Sequence, residues 1–316
     1  MGIERMTRAI VRHWILLLAL NCFACHAAGQ YIPSRQSASQ KLTVVSGEKV
    51  GYALYQRTSG TNSHRPLIVL IGGSEGGYGL SGSPIVGQFL DRGYNVASLA
   101  YFAFDGGPRI LSLVDVGTVD HTIRSLAQDL HGVPTCIGIL GVSKGAELAL
   151  VLAAYTDTAD AYVATAPSHV SWQSSHVTTT IKSSWTLNGE PLAFVRYPWF
   201  SLDTLRAARD TDRALALHKR ALRRTDAVAR AILPVERSGA PILLQSAIRD
   251  QVWPSAEMAD AIIERADQLA PGHHQITQRA YDLDHFVLRD KVAAKDAIDF
   301  LDRSLSQRCG AGPVSR

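Results

Sequence analysis

Cysteine is scarce in this 316-residue sequence, which holds four. Two of them, Cys22 and Cys25, lie in an N-terminal apolar segment, so Cys136 and Cys309 would remain in a mature chain. Two cysteines exclude a dense disulfide framework and a cysteine-based zinc site. A bridge between Cys136 and Cys309 and a pair of free thiols both stay open, because spacing along a chain gives no geometry.

An excess of one charge is also lacking. The formal net charge is +4, and no basic stretch is interleaved with aromatic residues, as nucleic-acid-binding segments usually are. The sequence has no HExxH pattern, no GxxxxGK[ST] phosphate loop and, beyond the N-terminal apolar segment, no cluster of cysteine and histidine. We therefore expect no nucleic-acid partner, no metal and no cofactor.

No apolar run reaches the length of about 20 residues that a membrane span needs. The N-terminal run at residues 14–25 is shorter, and three arginines precede it: Arg5, Arg8 and Arg12. This layout predicts a signal peptide over residues 1–28 with cleavage near Ala28, export to the periplasm or the exterior, and a polar leader segment at 29–39. No stable membrane span would then remain. An uncleaved anchor or a lipid-modified Cys25 is the alternative.

The remaining sequence has enough apolar material for one large core. Of all residues, 46% are hydrophobic and 19% are charged, and we place the domain at residues 40–306, followed by a polar tail at 307–316. Short apolar runs alternate with helical patterns, which predicts an α/β fold with a mostly parallel, doubly wound sheet. Strands are predicted at residues 41–47, 50–56, 66–73, 94–102, 136–142, 161–167, 241–248 and 274–282, the first two as an antiparallel edge pair. Helices are predicted at residues 84–92, 119–131, 144–154, 255–269 and 292–303.

One interval is too long for an ordinary connection between strands. It separates the predicted strands near 161–167 and 241–247, and we interpret it as a cap over residues 168–238. Its first half is rich in serine, threonine and aromatic residues and is predicted to be irregular, whereas residues 203–232 have helical composition. The charges of this helical half form either a solvated surface or a basic rim that attracts an anionic substrate.

The pattern GVSKG at residues 141–145 follows a predicted buried strand and precedes a helical pattern. Strand, GxSxG and helix together form the nucleophile elbow of α/β-hydrolases. The tight turn projects the Ser143 hydroxyl from the sheet edge and aims the Lys144 amide at a developing oxyanion. We predict Ser143 as the nucleophile and Lys144 as one oxyanion donor; a simple structural turn is the alternative.

A glycine-rich segment, IGGSEGGYG, ends the third predicted strand. Glycines at such a position let backbone amides face a substrate. The second oxyanion donor is therefore predicted to be the amide of Ser74 or of Gly73, and the sequence does not choose between them.

Two later residues complete a catalytic triad. Asp250 directly follows the strand at 241–248, and His285 follows the last predicted strand. The chain order serine, aspartate, histidine is the one that α/β-hydrolases use. We predict His285 as the general base and Asp250 as the acid that orients it, with a helix cap or turn as the structural alternative for Asp250.

These residues resemble the catalytic domain of the acyl-CoA thioester hydrolase and bile acid-CoA:amino acid N-acyltransferase (BAAT) family. Five segments carry the resemblance: IGGSEGG, LAYFAFDGGP at 99–108, GVSKGAELAL at 141–150, SSWTLNGEPLAFV at 183–195 and DQVWPS at 250–255. It implies an α/β-hydrolase fold with nucleophile, acid and base at Ser143, Asp250 and His285. The transferases of the family look cysteine-dependent, whereas this sequence has a serine at position 143, so the resemblance implies hydrolysis. Coenzyme A thioesters should be scarce outside the cytosol. If the protein is exported as predicted, an ester is therefore an alternative to a thioester as substrate.

Together these features predict an exported serine hydrolase that cleaves a small-molecule acyl ester or thioester through an acyl-enzyme. Trp185 and Trp253 are predicted to line an apolar pocket below the cap. A peptidase or amidase of the same fold, and a non-catalytic binding homologue, are the alternatives. The oligomeric state cannot be predicted from these patterns.

Overall fold

The computed structural model of the protein describes residue 34 and residues 37–58, 66–131, 136–174, 181–198 and 211–309. The predicted signal peptide at 1–28 and most of the polar leader at 29–39 lie outside these residues, as does the chain beyond residue 309. Within the described ranges, no helix is both long enough and apolar enough to cross a membrane.

The described residues form eleven strands in two sheets. They are β1 Gln40–Val45, β2 Gly51–Arg57, β3 Leu67–Ile71, β4 Asn95–Ala100, β5 Val114–Asp115, β6 Ile137–Val142, β7 Ala161–Thr165, β8 Trp185–Leu187, β9 Glu190–Pro191, β10 Ile242–Ala247 and β11 Ile276–Tyr281. The main sheet has the order β1-β2-β4-β3-β6-β7-β10-β11. The pairs β1–β2 and β2–β4 are antiparallel, and the pairs from β4 to β11 are parallel. The predicted fold class and the antiparallel edge pair are confirmed.

Seven α-helices lie in the described residues: α1 Pro84–Asp91, α2 Val116–His131, α3 Lys144–Tyr155, α4 Thr211–Leu222, α5 Thr225–Ala231, α6 Ser255–Leu269 and α7 Lys291–Cys309. Two of the predicted helices differ from prediction by more than one residue. Helix α2 begins three residues earlier than Val119, because the Asp115 carboxylate accepts the Thr118 amide at 2.7 Å and caps the helix. Helix α7 runs six residues beyond Arg303, since Ser304 and Leu305 are buried, so residues 307–309 are helical and not part of a polar tail.

Strand β3 shows how the core is divided between the two faces of the sheet. Its five residues are all buried, but alternate side chains belong to different clusters. Leu67, Val69 and Ile71 pack on the face that α2, α3 and α6 cover, whereas Ile68 and Leu70 pack on the face that α1 and α7 cover. A strand covered on both faces has no polar alternation, which is why these runs are continuously apolar.

The segment between β7 and β10 holds the predicted cap. Its first half is not irregular throughout, because β8 and β9 join β5 in a three-stranded sheet. The amides of Leu113 and Val114 donate to the carbonyls of Ser183 and Ser184 at 3.0 and 2.8 Å. Burial of this segment requires such pairing of backbone groups, which composition does not reveal. Its second half contains α4 and α5; residues 175–180 and 199–210 are outside the described part.

Cys136 and Cys309 form a disulfide, with Cα atoms 6.3 Å apart. This separation lies in the usual range for a disulfide and decides between the two alternatives for these cysteines. The bond joins the C-terminal end of α7 to the residue before β6, and β6 leads into the GVSKG turn.

Candidate active site

Ser143 lies in the sharp turn between β6 and α3. Its backbone has φ 56° and ψ −118°, a conformation that costs a non-glycine residue about 1–3 kcal/mol. Two hydrogen bonds hold the turn: the Ser143 amide donates to the Thr165 carbonyl at 2.9 Å, and the Glu147 amide donates to the Ser143 carbonyl at 3.0 Å. The strain is therefore fixed by the neighbouring strand and by the first turn of α3, and the side chain projects from the sheet.

The glycines on either side of Ser143 permit close backbone contacts. A Cβ atom at Gly141 would collide with the Gly145 carbonyl, and one at Gly145 would collide with the carbonyls of Ile71 and Gly72. The absence of a side chain at Gly141 lets β6 approach the start of α3, and its absence at Gly145 lets the end of β3 approach the same turn. This approach brings the glycine loop after β3 to the Ser143 turn.

The three predicted triad residues lie within hydrogen-bonding distance of one another in series. His285 Nε2 is 2.9 Å from Ser143 Oγ, and His285 Nδ1 is 2.9 and 3.0 Å from the two Asp250 carboxylate oxygens. An ionised carboxylate only accepts hydrogen bonds, so Nδ1 carries the proton of a neutral imidazole and Nε2 is free to accept from the serine hydroxyl. His285 and Asp250 are 6% and 4% exposed, so little water competes for this series.

The Asp250 carboxylate is held by donors that sequence reasoning did not identify. Oδ1 accepts the amides of Val252 and Trp253 at 2.9 and 3.2 Å, and Oδ2 accepts the Ser255 hydroxyl at 2.7 Å. The DQVWPS segment thus forms a turn in which later residues donate hydrogen bonds to the carboxylate of its first residue, Asp250. A serine five residues after an aspartate was the available signal, but it is a common arrangement.

The glycine loop after β3 presents two candidate oxyanion donors differently. The Gly73 amide donates to Oε1 of Glu75 at 2.9 Å. No acceptor in the described residues bonds the amides of Ser74 or Lys144. A Cβ placed at Gly73 would be 3.1 Å from Ser143 Cβ, so this loop borders the serine directly.

Tyr101 fixes the orientation of the same loop. Its buried hydroxyl is 2.9 Å from the Gly72 carbonyl and 3.3 Å from the Gly73 carbonyl. Carbonyl and amide of one trans peptide point in opposite directions, so the Ser74 amide faces away from Tyr101. The unpaired Ser74 amide is therefore the better candidate for the second donor.

A buried ion pair lies in the first turn of α3. Lys144 Nζ is 2.6 Å from Oε2 of Glu147 and donates to the Ser184 hydroxyl at 2.9 Å. The side chains of Lys144 and Glu147 are 5% and 0% exposed. Burial lowers the pKa of Lys144 and raises the pKa of Glu147, and the ion pair opposes both shifts. A single glutamate in the otherwise apolar AELALVLAAY helix was a signal for such a partner, because a buried charge needs one.

The two tryptophans predicted to line a pocket have different surroundings. Trp185 is fully buried, and its Nε1 donates to Oε1 of Glu147 at 2.6 Å, so the prediction that it faces a substrate is corrected. The Trp185 side chain thus connects β8 to helix α3 by a hydrogen bond. Trp253 packs edge-on against His285, with ring centres 6.0 Å apart, and its buried Nε1 has no partner among the described residues.

An aromatic cluster continues from Trp253 into the cap. Trp172 stacks on Tyr197, and the edge of the His218 ring packs against Trp172 at 4.9 Å between ring centres. His218 Nδ1 lies 2.8 Å from the Ala214 carbonyl, and burial lowers the pKa of His218 to about 4. His218 is therefore a neutral packing residue at physiological pH.

A surface cleft of about 530 Å³ is lined by Asp284 and Phe286, the residues on either side of His285 in the chain. Phe286 lines it and packs edge-on against His285, with 5.7 Å between ring centres. The Arg289 guanidinium lies 4.0 Å from the centre of the Phe286 ring. The Phe286 ring therefore contacts both the His285 imidazole and a cation that also lines the cleft.

The described residues include one group that could act as metal ligands, Cys136, Asp160 and Cys309. Its two sulfur atoms are bonded to each other, so they offer no thiolate to a metal.

Comparison with known sequences finds similarity to one hydrolase family. The model of the BAAT / acyl-CoA thioester hydrolase C-terminal family matches residues 125–281, which include Ser143 and Asp250 and end just before His285. Acyl-coenzyme A thioesterase 5 of Mus musculus is 30% identical over 64 residues, covering 20% of this chain and 15% of the mouse protein. The matched segment is thus a small part of that relative.

Solved structures of hydrolases share the fold at low sequence identity. An esterase of Pyrococcus furiosus is 15% identical with a TM-score of 0.55, covering 86% of this chain and 97% of that chain. The acylaminoacyl peptidase of Pyrococcus horikoshii is 12% identical with a TM-score of 0.55, covering 84% and 41%. An α/β-hydrolase from a deep-sea metagenome is 13% identical with a TM-score of 0.51, covering 85% and 100%. Residues 125–281 are thus similar to the BAAT / acyl-CoA thioester hydrolase C-terminal family, and the chain has an α/β-hydrolase fold.

Proposed function

We propose that this hydrolase cleaves an acyl ester or thioester of a small molecule through a serine nucleophile. The observation that carries the proposal is the series Ser143, His285, Asp250, with 2.9 Å from Ser143 Oγ to His285 Nε2 and 2.9 Å from His285 Nδ1 to Asp250. Hydrogen-bonding distance between a nucleophile and its base, with the base oriented by a third group, is the arrangement that covalent acyl transfer needs.

In the proposed mechanism, Nε2 of neutral His285 takes the proton of Ser143 as the serine oxygen attacks the acyl carbon. Asp250 holds the imidazole in the tautomer with the proton on Nδ1 and stabilises the imidazolium that forms. The imidazolium then protonates the leaving alcohol or thiol, which leaves an acyl-serine. Water attacks the acyl-serine with His285 again as base, and the acid is released.

The negative charge on the acyl oxygen needs donors already in position. The Lys144 amide begins α3, where the helix dipole also favours a negative charge, and the Ser74 amide faces away from Tyr101. These two amides are the proposed oxyanion hole. Gly73, the other predicted candidate, already donates to Glu75.

We include export in this proposal. It is supported by the arginines and the apolar run at residues 14–25, and by the disulfide between Cys136 and Cys309, because disulfides persist mainly in oxidising compartments. Determining the N-terminus of the protein recovered from the periplasmic or culture fraction tests it. A mature N-terminus near residue 29 is expected, and recovery of the uncleaved chain in the cytosol would oppose export.

A substrate panel tests the reaction class. The panel contains p-nitrophenyl esters of increasing chain length, acyl thioesters and peptide anilides, each measured with the wild type and with Ser143→Ala. We expect turnover of esters or thioesters that Ser143→Ala abolishes. Turnover of the anilides alone would favour the peptidase alternative, and no turnover in any arm would favour a binding protein.

A further inference from the structure

The first turn of α3 is joined to the cap by the buried ion pair described above. Glu147 Oε1 accepts the backbone amide of Trp172 at 2.9 Å and the indole Nε1 of Trp185 at 2.6 Å, while Oε2 accepts Lys144 Nζ. Both tryptophans lie in the cap segment and are fully buried. One carboxylate on the nucleophile helix is therefore saturated by two donors of the cap and one of its own helix.

Lys144 makes the reciprocal connection. Its Nζ donates to the Ser184 hydroxyl at 2.9 Å, and that hydroxyl donates to the Trp172 carbonyl at 3.0 Å. Nζ also lies 5.2 Å from the centre of the Trp185 ring. The backbone amide of this same lysine is one of the two proposed oxyanion donors, so the cap holds the residue whose amide must be oriented.

Stability alone does not explain a buried ion pair. Removing two charges from water costs about as much as their attraction returns, and well-packed apolar residues of similar volume are often equally stable or more so. An apolar pair would not, however, fix an orientation, because dispersion contacts are not directional. The pair is thus better suited to orientation than to net stability.

We propose that Lys144 and Glu147 are positioning residues that couple the seating of the cap to the geometry of the oxyanion hole. This inference rests on the proposed function. The cap segments at 168–174 and 181–187 then act as a fixed brace for the nucleophile turn and do not swing during turnover. Motion of the cap would move the Lys144 amide away from the oxyanion.

Three variants separate positioning from packing. Glu147→Gln and Lys144→Met each break the ion pair, and the double variant Lys144→Met with Glu147→Leu replaces it by apolar groups of similar size. Lys219→Met is the matched control, because Lys219 and Glu257 also join the cap to the body at 2.5 Å but are 45% and 63% exposed. Steady-state kinetics with a p-nitrophenyl ester, divided by the sites titrated to completion with a fluorophosphonate, give kcat per folded active site. Thermal unfolding is measured in parallel.

We expect kcat per titrated site to fall by about 10- to 100-fold in all three variants, less than or similar to the loss of a complete oxyanion donor. KM should change by less than about threefold, since ground-state binding is untouched. The double variant should also lose thermal stability, because the buried Trp172 amide and Trp185 indole lose their acceptor; kcat per titrated site is therefore the measure of positioning. Lys219→Met should match the wild type in both measurements.

Equal kcat per titrated site in the wild type and all three variants would overturn the inference and leave the pair a packing feature. A wild type that neither reacts with the fluorophosphonate nor turns over ester refutes the proposed function instead, so the two failures are distinct. If the ion-pair variants do not fold, Ser184→Ala removes a single hydrogen bond to Lys144, and kcat per site should then fall roughly 3- to 10-fold. An unchanged kcat in that variant would likewise oppose the inference.

Discussion

The backbone amide of Gly73 donates to Oε1 of Glu75 at 2.9 Å, so the loop beside Ser143 uses one of its own candidate oxyanion donors. The neighbouring Ser74 amide has no acceptor among the described residues. The carboxylate lies against the glycines of the loop, where a Cβ at Gly72 or Gly73 would be 2.7 or 2.9 Å from it. Glu75 thereby determines which peptide of the loop is left to bind an oxyanion.

Ser74→Pro tests this assignment, because proline has no amide hydrogen. We expect kcat to fall by about 10²- to 10³-fold with a smaller change in KM. Ser74→Ala keeps the amide and is the control, expected within about threefold of the wild type. Steady-state kinetics on an ester substrate make the measurement. Equal losses in both variants would assign the effect to the side chain and contradict a role for the amide.

The hydrogen bonds around Asp250 predict that kcat falls by different amounts when the carboxylate itself or one of its donors is removed. Asp250→Asn should reduce kcat by about 10⁴-fold, because an amide in that place favours the wrong histidine tautomer. Ser255→Ala removes one of the three donors that the turn itself provides to the carboxylate and should reduce kcat only about 2- to 10-fold. Steady-state kinetics with an ester substrate, including the pH profile of kcat/KM, measure the effect of each of the two substitutions. A Ser255→Ala variant as inactive as Asp250→Asn would show that the amides of Val252 and Trp253 do not hold the aspartate.

The disulfide should contribute substantially to stability. Cys136 and Cys309 are 173 residues apart, and closing so long a loop stabilises the fold by about 5 kcal/mol in the chain-entropy picture. The double variant Cys136→Ser with Cys309→Ser should therefore lower Tm by about 10 °C or more, measured on a chain without residues 1–28. Dithiothreitol should lower Tm of the wild type and leave that of the variant unchanged. Two titratable thiols in the denatured, unreduced wild type would contradict the bridge.

The buried cap histidine predicts acid sensitivity. Burial lowers the pKa of His218 to about 4, whereas an unfolded chain titrates near about 6.5. As pH falls, the histidine of the unfolded chain is protonated first. The contribution of His218 to the free energy of unfolding is therefore fully present above about pH 6.5 and is lost progressively as pH falls toward 4. His169, whose pKa burial also lowers to about 4, acts in the same direction.

His218→Phe keeps the ring packing and removes the titration. Tm measured from pH 7 to 4 should fall less steeply for this variant than for the wild type, with a residual slope from His169 and the carboxylates. Parallel curves for the two proteins would mean that His218 is not held neutral in the fold.

Local patterns were sufficient to predict the elements that carry the triad. Helix α6 has the predicted bounds, Ser255–Leu269, because Pro254 precedes it and its apolar residues recur at helical spacing. The strand before Ser143 and the helix after it were recognisable from one short motif, since the turn tolerates few residue types. Chain order then supplied Asp250 and His285, which lie 3.0 Å or less apart.

Contacts between distant segments could not be predicted in the same way. Trp185 was expected in a pocket because aromatic residues often line pockets, but tertiary packing buries it against Glu147. The choice between Ser74 and Gly73 depends on where the Glu75 carboxylate folds back. The short strands of the cap form because buried backbone must find partners, and no side-chain periodicity records that requirement.

Reaction with a fluorophosphonate probe, followed by mass spectrometry of the labelled peptide, identifies the nucleophile. We expect one adduct per chain, on Ser143, with labelling abolished in Ser143→Ala and slowed by about 10³-fold or more in His285→Ala, whose base is missing. An unlabelled wild type, or an adduct on a different residue that persists in Ser143→Ala, would contradict Ser143 as the nucleophile.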